Sequence, residues 1–255
     1  MRVFPLETAP VNETLSLWNT ETSPRLHARI AGGFYLINIL TGIFAILFVR
    51  SALLVPGDAA ATSSNILAHA VRFRLGFVAE VITTVTCVPI TLIFYNLFKV
   101  VNRNLAIADV LFSLVGTAIE AVVLLNHFEP LILLTSRGQL DAFTAEQLQA
   151  QVYVSLQLQD IGLSIALVFF GCGILIDGYL IFRSTFLPRT IGVLLAIEGT
   201  GYLINSFTQF INPALQARIF PYFAVTGIGE VALCLWLLVI GVNEEAWRKW
   251  TVANS

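Results

Sequence analysis

Six uninterrupted apolar stretches run through this chain of 255 residues. A helix needs about 20 mostly apolar residues to cross the hydrocarbon core of a bilayer, and every stretch reaches that length. The stretches are residues 29–50, 73–99, 104–126, 155–182, 189–211 and 219–243. They are continuous rather than alternating and longer than barrel strands, which favours helices over a transmembrane β-barrel. The sequence therefore predicts an all-α fold, an integral membrane bundle of about six transmembrane helices.

The composition agrees with a protein immersed in lipid. Hydrophobic residues make up 57% of the chain and charged residues only 12%, against about 25% charged residues in a typical soluble domain. The formal net charge of -2 gives no basic field for nucleic acid, so we expect no nucleic-acid partner. We interpret residues 1–28 as an N-terminal segment, 29–243 as the transmembrane domain and 244–255 as a C-terminal tail.

The distribution of basic residues predicts the orientation of the bundle. An even number of spans places both termini on one side, together with the connections near residues 100–103 and 183–188. Nine Lys and Arg residues fall on that side and five on the other. Basic residues concentrate in cytoplasmic loops, so we expect both termini to be cytoplasmic and the longer loops to face outward.

Two capping signals predict helices in the outer loops. Asp58 follows a Pro-Gly turn and can cap a helix that begins at Ala59. Thr144 and Gln147 have the spacing of a capping box, in which each side chain bonds to the backbone N–H of the other residue. No Pro or Gly interrupts the chain from there to Gly162. We therefore predict that the fourth membrane helix has a long outer extension starting near Thr144.

Acidic residues inside the apolar stretches are the feature that points to function. Seven of the sixteen carboxylates fall there, although a charge near the bilayer centre costs about 2.5–3.5 kcal/mol on insertion scales. Asp109 and Asp177 lie near the cytoplasmic ends of the third and fourth stretches, within reach of Arg103 and Arg183 or of the lipid headgroups, and we interpret them as structural edge charges. The other five are predicted to lie in the outer half of the membrane: Glu80, Glu120, Asp160, Glu198 and Glu230.

The five outer-half acids have few candidate counter-ions. The apolar stretches contain no Lys or Arg at depth, so each carboxylate must be protonated or must find a cation elsewhere. Arg74, at the start of the second stretch, is the countercharge we expect, and Asn205 lies at a compatible depth. We predict an outer-half polar cavity in which the five acids, Arg74 and Asn205 bind a ligand. The ligand class stays open between a small molecule, a lipid headgroup and a cation.

Other interpretations of the acids also stay open. Protonated glutamates can simply hydrogen-bond neighbouring helices and hold the bundle together. A buried glutamate can act as acid or base in an intramembrane enzyme with a lipidic substrate, although no catalytic motif is present. The chain can also be a structural or accessory subunit of a membrane complex, or part of an oligomer. The sequence assigns no catalytic residue and no cofactor.

The histidines give only a weak sign of a metal or haem site. His27, His69 and His127 all fall outside the middle of the apolar stretches, which leaves no pair of axial haem ligands. His69 and His127 could approach each other at the outer face near Glu129, but the two have no metal-binding motif around them. We interpret them as ordinary interfacial histidines and assign no metal ligand.

Several segments taken together resemble a known family. They are residues 28–36 (ARIAGGFYL), 49–51 (VRS), 55–62 (VPGDAAAT), 73–77 (FRLGF), 178–181 (GYLI), 187–189 (LPR), 201–204 (GYLI), 229–230 (GE) and 235–239 (LWLLV). The combination resembles the bacterial membrane proteins grouped as DUF4386, a domain of unknown function, over about residues 28–243. The resemblance implies a multi-pass protein of the bacterial cytoplasmic (inner) membrane and brings no established activity. The family pattern has Arg, Gln, His and Asp where this chain has Ser113, Gly116, Gly173 and Asn205, so the resemblance implies that a shared charged site would be modified here.

Overall fold

The computed structural model describes residues 23–136, 140, 142–223 and 227–253. Within those residues the chain forms nine helices and no strand. The helices are α1 (Pro24–Leu53), α2 (Ala59–Ala68), α3 (Ala70–Phe98), α4 (Arg103–Thr135), α5 (Ala145–Arg183), α6 (Arg189–Ile211), α7 (Pro213–Phe223), α8 (Ile228–Val239) and α9 (Glu244–Ala253). The predicted all-α fold is confirmed. Residues 1–22 of the predicted N-terminal segment lie outside the described residues.

Five of the described helices are long and apolar enough to cross a membrane: α1, α3, α4, α5 and α6. Their outward faces carry large apolar side chains, such as Val85 on α3 (62% exposed) and Leu125 on α4 (70% exposed). A soluble protein rarely exposes so much continuous apolar surface, whereas a lipid-facing surface requires it. The predicted membrane bundle is therefore confirmed. The sixth predicted span, 219–243, passes through residues 224–226, outside the described residues, and contains the shorter apolar helix α8.

Close backbone contact joins α5 to α6. A Cβ atom on Gly199 would lie 2.7 Å from the carbonyl oxygen of Gly171, and a Cβ atom on Gly178 would lie 2.8 Å from that of Gly192. Neither distance leaves room for a side chain, so glycine is what lets the two helices cross this closely. In lipid such close approach is a main source of helix association. The crossing therefore fixes α5 and α6 relative to each other.

The start of α1 and the C-terminal helix α9 meet at one end of the bundle, which we call the terminal end. The Trp247 indole donates a hydrogen bond to the Leu97 carbonyl oxygen (3.0 Å), and the Asn243 N–H donates to that of Phe186 (3.1 Å). The Arg25 guanidinium donates to the Ile240 carbonyl oxygen (3.0 Å). The short connections 99–102 and 184–188 therefore lie at the same end as both described chain ends, as the sequence predicts.

The opposite end of the bundle, which we call the far end, contains the two predicted caps. The Asp58 carboxylate accepts a hydrogen bond from the Ala61 N–H (2.8 Å) and begins α2. Thr144 and Gln147 form the predicted capping box, with distances of 2.9 and 3.3 Å. From there α5 runs for 39 residues. At 1.5 Å per residue that is about 58 Å, well beyond the ~30 Å hydrocarbon core, so the predicted long extension of this helix is confirmed.

Candidate functional site

A cavity of about 210 Å³ lies among six helices of the bundle, and we call it the acidic cavity. Side chains of α1, α3, α4, α5, α6 and α8 line it. Four of these side chains are carboxylates: Asp109 and Glu120 on α4, Asp177 on α5 and Glu230 on α8. The lining residues that the structure describes include no Lys, Arg or His. The helices thus bring acidic groups together without a basic partner in the same wall.

Asp109 and Asp177 form the part of the cavity wall nearest the terminal end. The Ser113 hydroxyl, one turn along α4, donates a hydrogen bond to Asp109 Oδ1 (3.2 Å). Gly173 on α5 leaves space for this pair, because a Cβ atom there would lie 3.0 Å from Asp109 Oδ1. Asp177 is only 8% exposed, and its Oδ1 has no hydrogen-bond partner among the described residues. A buried polar atom left unpaired costs about 1–3 kcal/mol, so this carboxyl group lacks a partner that its burial calls for.

Glu198 lies behind Glu230 and holds the start of α8. Its side chain is fully buried, and its Oε2 accepts a hydrogen bond from the Glu230 backbone N–H (2.9 Å). That N–H belongs to the first turn of α8, where the helix dipole favours a negative group. Gly229 makes the approach possible, since a Cβ atom there would lie 2.6 Å from Glu198 Oε2. Glu198 therefore acts as a helix cap and positions Glu230 at the cavity.

Tyrosine hydroxyls connect these two glutamates to the cavity. The Tyr202 hydroxyl lies 3.4 Å from Glu198 Oε1 and 3.4 Å from Glu230 Oε2. Tyr35 on α1 lines the same wall, and its ring packs edge-on against Phe94 with 6.2 Å between ring centroids. The cavity therefore combines carboxylates with aromatic rings, a combination that binds positively charged organic groups.

Glu120 lies on the side of the cavity toward the far end. One of its carboxylate oxygens, Oε2, is buried and has no hydrogen-bond partner among the described residues. The Thr84 hydroxyl lies between this carboxylate and the Glu80 carbonyl oxygen, to which it donates a hydrogen bond (3.0 Å). The Thr84 hydroxyl therefore connects the Glu120 side of the cavity to a second polar cluster, at the far end.

That second cluster, which we call the His127 network, consists of Arg50, Glu80, His127, Gln159 and Asp160. His127 Nδ1 lies 2.8 Å from Glu80 Oε2, and the Gln159 amide donates to both Glu80 oxygens (3.1 and 3.3 Å). The Arg50 guanidinium donates to Gln159 Oε1 (2.6 Å) and forms an ion pair with Asp160. Arg50 ends a π-helical segment of α1, Phe44–Arg50, a geometry often found at functional sites.

The residues predicted to share one cavity are distributed over several places. Glu120 and Glu230 line the acidic cavity and Glu198 lies directly behind it, whereas Glu80 and Asp160 belong to the His127 network. The other two predicted ligand-binding residues lie elsewhere. Arg74, the predicted countercharge, lies over the Phe128 ring at 5.8 Å, and Asn205 accepts a hydrogen bond from Gln216 (3.0 Å).

Two sequence interpretations need correction. Asp109 and Asp177 are not edge charges paired with Arg103 and Arg183. They are 3% and 8% exposed and line the cavity. His127 is not an interfacial side chain, because on α4 it is fully buried, against Phe73 of α3 and Gln159 of α5. Within the described residues, no group of three or more His, Cys, Asp or Glu side chains is placed to hold a metal ion.

Spacing along the helices contained a signal for the missed residues. Asp109 and Ser113 are four residues apart on α4, and Gly173 and Asp177 are four apart on α5. Residues with this spacing lie on one helical face, so each pair presents its polar or open positions in the same direction. Arg50 carries no such signal, since its role depends on a long side chain reaching toward another helix.

Comparison with known proteins identifies the family but no activity. The family model described as "Domain of unknown function (DUF4386)" matches residues 30–241. An uncharacterized protein of Archaeoglobus fulgidus is 30% identical over 79 residues, which cover 31% of this chain and 46% of that protein. The chain thus spans less than half the length of this relative. No solved structure matches the chain. Because the family model covers most of its length, this membrane protein belongs to the DUF4386 family.

Proposed function

We propose that this protein binds a small organic cation in the acidic cavity. The observation that carries the proposal is the Asp177 carboxylate, which is more than nine-tenths buried, lines the cavity and has an oxygen without a hydrogen-bond donor among the described residues. A positively charged N–H group or a quaternary ammonium supplies the countercharge that this carboxylate lacks. Asp109, Glu120 and Glu230 place three more carboxylates around the same space.

The charge balance of the cavity supports a cation rather than a neutral ligand. A carboxylate buried without a cation is costly, and the described lining residues supply no cation. An entering cation supplies this missing countercharge and interacts with a lining carboxylate at low effective dielectric constant. At about 4 Å and an effective dielectric constant near 20, the attraction is about 4 kcal/mol. A neutral ligand of the same shape gains none of this energy.

The size and lining of the cavity favour an organic cation over a bare metal ion. The carboxylates are spread around the wall rather than gathered at one point, and the described residues contain no metal-ligand cluster. Tyr35, Phe94, Phe170 and Tyr202 present aromatic rings to the same space, and such rings attract ammonium groups. The volume of about 210 Å³ corresponds to about seven water molecules, and therefore to about seven non-hydrogen atoms. Choline and short diamines have this size.

Isothermal titration calorimetry of the protein purified in detergent, with choline as the probe, tests this proposal. We expect saturable binding at one site and at least about tenfold weaker binding by the Asp177→Asn variant, which removes the charge but keeps the shape. The alcohol 3,3-dimethylbutanol, which has the shape of choline without its charge, should not compete.

A matched control is the Glu245→Gln variant. Glu245 is an exposed carboxylate on α9, outside the spans, and its removal should leave choline affinity unchanged. Equal choline affinity in the wild type and in Asp177→Asn would refute a role for the cavity. Competition by the neutral alcohol at the same concentration as choline would refute the selection for charge.

A separate proposal concerns the orientation of the protein in the membrane. We infer that the protein lies in the bacterial cytoplasmic membrane with the terminal end facing the cytoplasm. The excess of nine basic residues over five on that side supports this orientation. A green fluorescent protein fused after Ser255 should fluoresce, while alkaline phosphatase at the same position should be inactive. The reverse pattern would refute the orientation without affecting the cavity.

A further inference from the structure

Two of the four carboxyl groups that line the acidic cavity have a buried oxygen without a hydrogen-bond donor. These oxygens are Asp177 Oδ1 and Glu120 Oε2, and neither has a partner among the described residues. The other two groups have partners: Asp109 accepts a hydrogen bond from a hydroxyl on its own helix (3.2 Å), and Glu230 Oε2 lies 3.4 Å from the Tyr202 hydroxyl. Because burying an acceptor without a donor is unfavourable, the cavity has two places that call for a partner.

The two unpartnered carboxyl groups lie at different levels of the cavity. Gly173 on α5 packs against Asp109 on α4, where a Cβ atom on Gly173 would lie 3.0 Å from Asp109 Oδ1. Asp177 is one helical turn beyond Gly173 toward the terminal end, so it lies near the level of Asp109. Glu120 lies further along α4 toward the far end, about 16 Å from Asp109 at a rise of 1.5 Å per residue. The cavity therefore has one such group toward each end.

The directions of α4 and α5 tilt these two side chains toward each other. On a helix the Cα–Cβ bond tilts toward the helix N-terminus. Since α4 begins at the terminal end, Glu120 tilts toward that end, and since α5 begins at the far end, Asp177 tilts toward the far end. Both side chains therefore tilt toward the middle of the cavity.

The wall that α5 contributes between these two levels is apolar. Gly162 on α5 packs against Val123 on α4, so the level of Glu120 on α5 lies just past Gly162 toward the terminal end. From there to Asp177, the described residues of α5 that line the cavity are Leu167, Phe170 and Ile174. The cavity thus has an acidic group toward each end and an apolar wall between them.

We propose that the acidic cavity selects an unbranched diamine, with one ammonium group at Asp177 and the other at Glu120. This inference rests on the proposed function, because it keeps a cation at Asp177 and adds a second one. The two ammonium groups supply N–H donors to both unpartnered carboxyl groups, and the methylene chain lies along the apolar wall of α5. Two positive charges then balance two carboxylates, whereas a monocation at Asp177 leaves Glu120 without a countercharge.

The size of the cavity favours a diamine of about five carbons. Its volume of about 210 Å³ corresponds to about seven non-hydrogen atoms, the number in cadaverine. The two nitrogens of extended cadaverine are roughly 7–8 Å apart at bond lengths of about 1.5 Å. A hydrogen bond of about 2.8 Å at each end extends this reach to about 13 Å. The inward tilt of Asp177 and Glu120 shortens the separation of about 16 Å between their levels toward that value.

Calorimetric titration of the detergent-purified wild type with cadaverine and with hexylamine tests the proposal. Hexylamine has the same number of non-hydrogen atoms, but a methyl group replaces one ammonium. We expect cadaverine to bind at least about tenfold more tightly, since a hydrogen bond to a charged group is worth at least that factor. Choline binding together with a cadaverine affinity no higher than that of hexylamine would overturn this inference alone. Absence of binding by choline and by both amines would overturn it together with the proposed function.

The Glu120→Gln variant tests where the second ammonium binds. It removes the charge but keeps the shape, so the preference for cadaverine over hexylamine should fall to near one. The matched control is Glu129→Gln on the same helix. The Glu129 carboxylate accepts a hydrogen bond from Ser155 (2.8 Å) and is not among the residues that line the cavity, so this variant should keep the preference of the wild type. An undiminished preference in folded Glu120→Gln would overturn the proposal.

A series of diamine lengths tests the same placement in the wild type, without any substitution. 1,3-Diaminopropane is too short to reach both carboxyl groups and should bind at least about tenfold more weakly than cadaverine. 1,8-Diaminooctane exceeds the cavity and should also bind more weakly than cadaverine. Affinity that rises steadily from the shortest to the longest diamine would indicate apolar partitioning and would overturn the two-ended site.

Discussion

A methyl group at Gly199 is expected to push α5 away from α6 and to loosen the acidic cavity. In Gly199→Ala the new Cβ atom would lie 2.7 Å from the Gly171 carbonyl oxygen and 3.1 Å from the Leu175 backbone nitrogen. Both neighbours are backbone atoms, which cannot move aside without moving the whole helix. Overpacking of this kind costs about 1–3 kcal/mol, and the better helix propensity of Ala offsets roughly 0.5–1 kcal/mol. The net loss in unfolding free energy is therefore about 1–2 kcal/mol.

Thermal unfolding in detergent, followed by circular dichroism, measures this loss. For a chain of this size, 1 kcal/mol corresponds to about 2–4 °C in Tm, so we expect a decrease of about 2–8 °C. The matched control is Gly33→Ala on α1, where a Cβ atom has nothing within 4 Å. That variant should be as stable as the wild type or slightly more stable. Equal Tm values for the two variants would refute the close crossing of α5 and α6 as a source of stability.

Three further changes test separate contacts. Thr144→Ala removes the N-cap of α5 and should speed hydrogen exchange in its first turn, with a local loss of about 1 kcal/mol. Glu198→Ala leaves the Glu230 N–H without its acceptor and should cost about 1–3 kcal/mol by thermal unfolding, while Glu198→Gln, which keeps an acceptor oxygen, should cost less. Equal losses for these two would contradict the capping role. On α9, the Lys249 ammonium lowers the pKa of Glu245 by hydrogen bonding and charge. Any stabilisation from that pair is present above the ordinary glutamate pKa and is lost as the pH falls through the lowered pKa. In Lys249→Gln, an NMR titration should find the Glu245 pKa back near its ordinary value.

The parts of the fold that sequence predicts well are those set by neighbours along the chain. An apolar stretch of about 20 residues is enough to predict a spanning helix, because the bilayer leaves the backbone almost no other choice. The caps at Asp58 and Thr144 are equally local, since each involves residues within three positions of one another. Both were therefore predictable without knowing how the helices pack.

The site was only partly predictable, because depth in the membrane does not say which way a side chain points. Glu80 and Glu120 have similar predicted depths, yet Glu80 contacts His127 while Glu120 lines the cavity. Asp177 was misread because distance from the helix end suggested a reachable Arg183, whereas its face of α5 turns it inward. Facing directions depend on how helices cross, and close crossings such as that of α5 and α6 become visible only when the backbones are placed together.

An electron cryo-microscopy map of the choline-loaded protein tests the central claim most directly. The cation-binding proposal predicts density for one choline inside the acidic cavity, with its ammonium in contact with the Asp177 carboxylate and bordered by the rings of Tyr35 and Tyr202. Asp177→Asn under the same conditions should lack this density. Choline density found only outside the cavity would contradict the claim. So would a map, recorded at saturating choline, in which side chains fill the cavity.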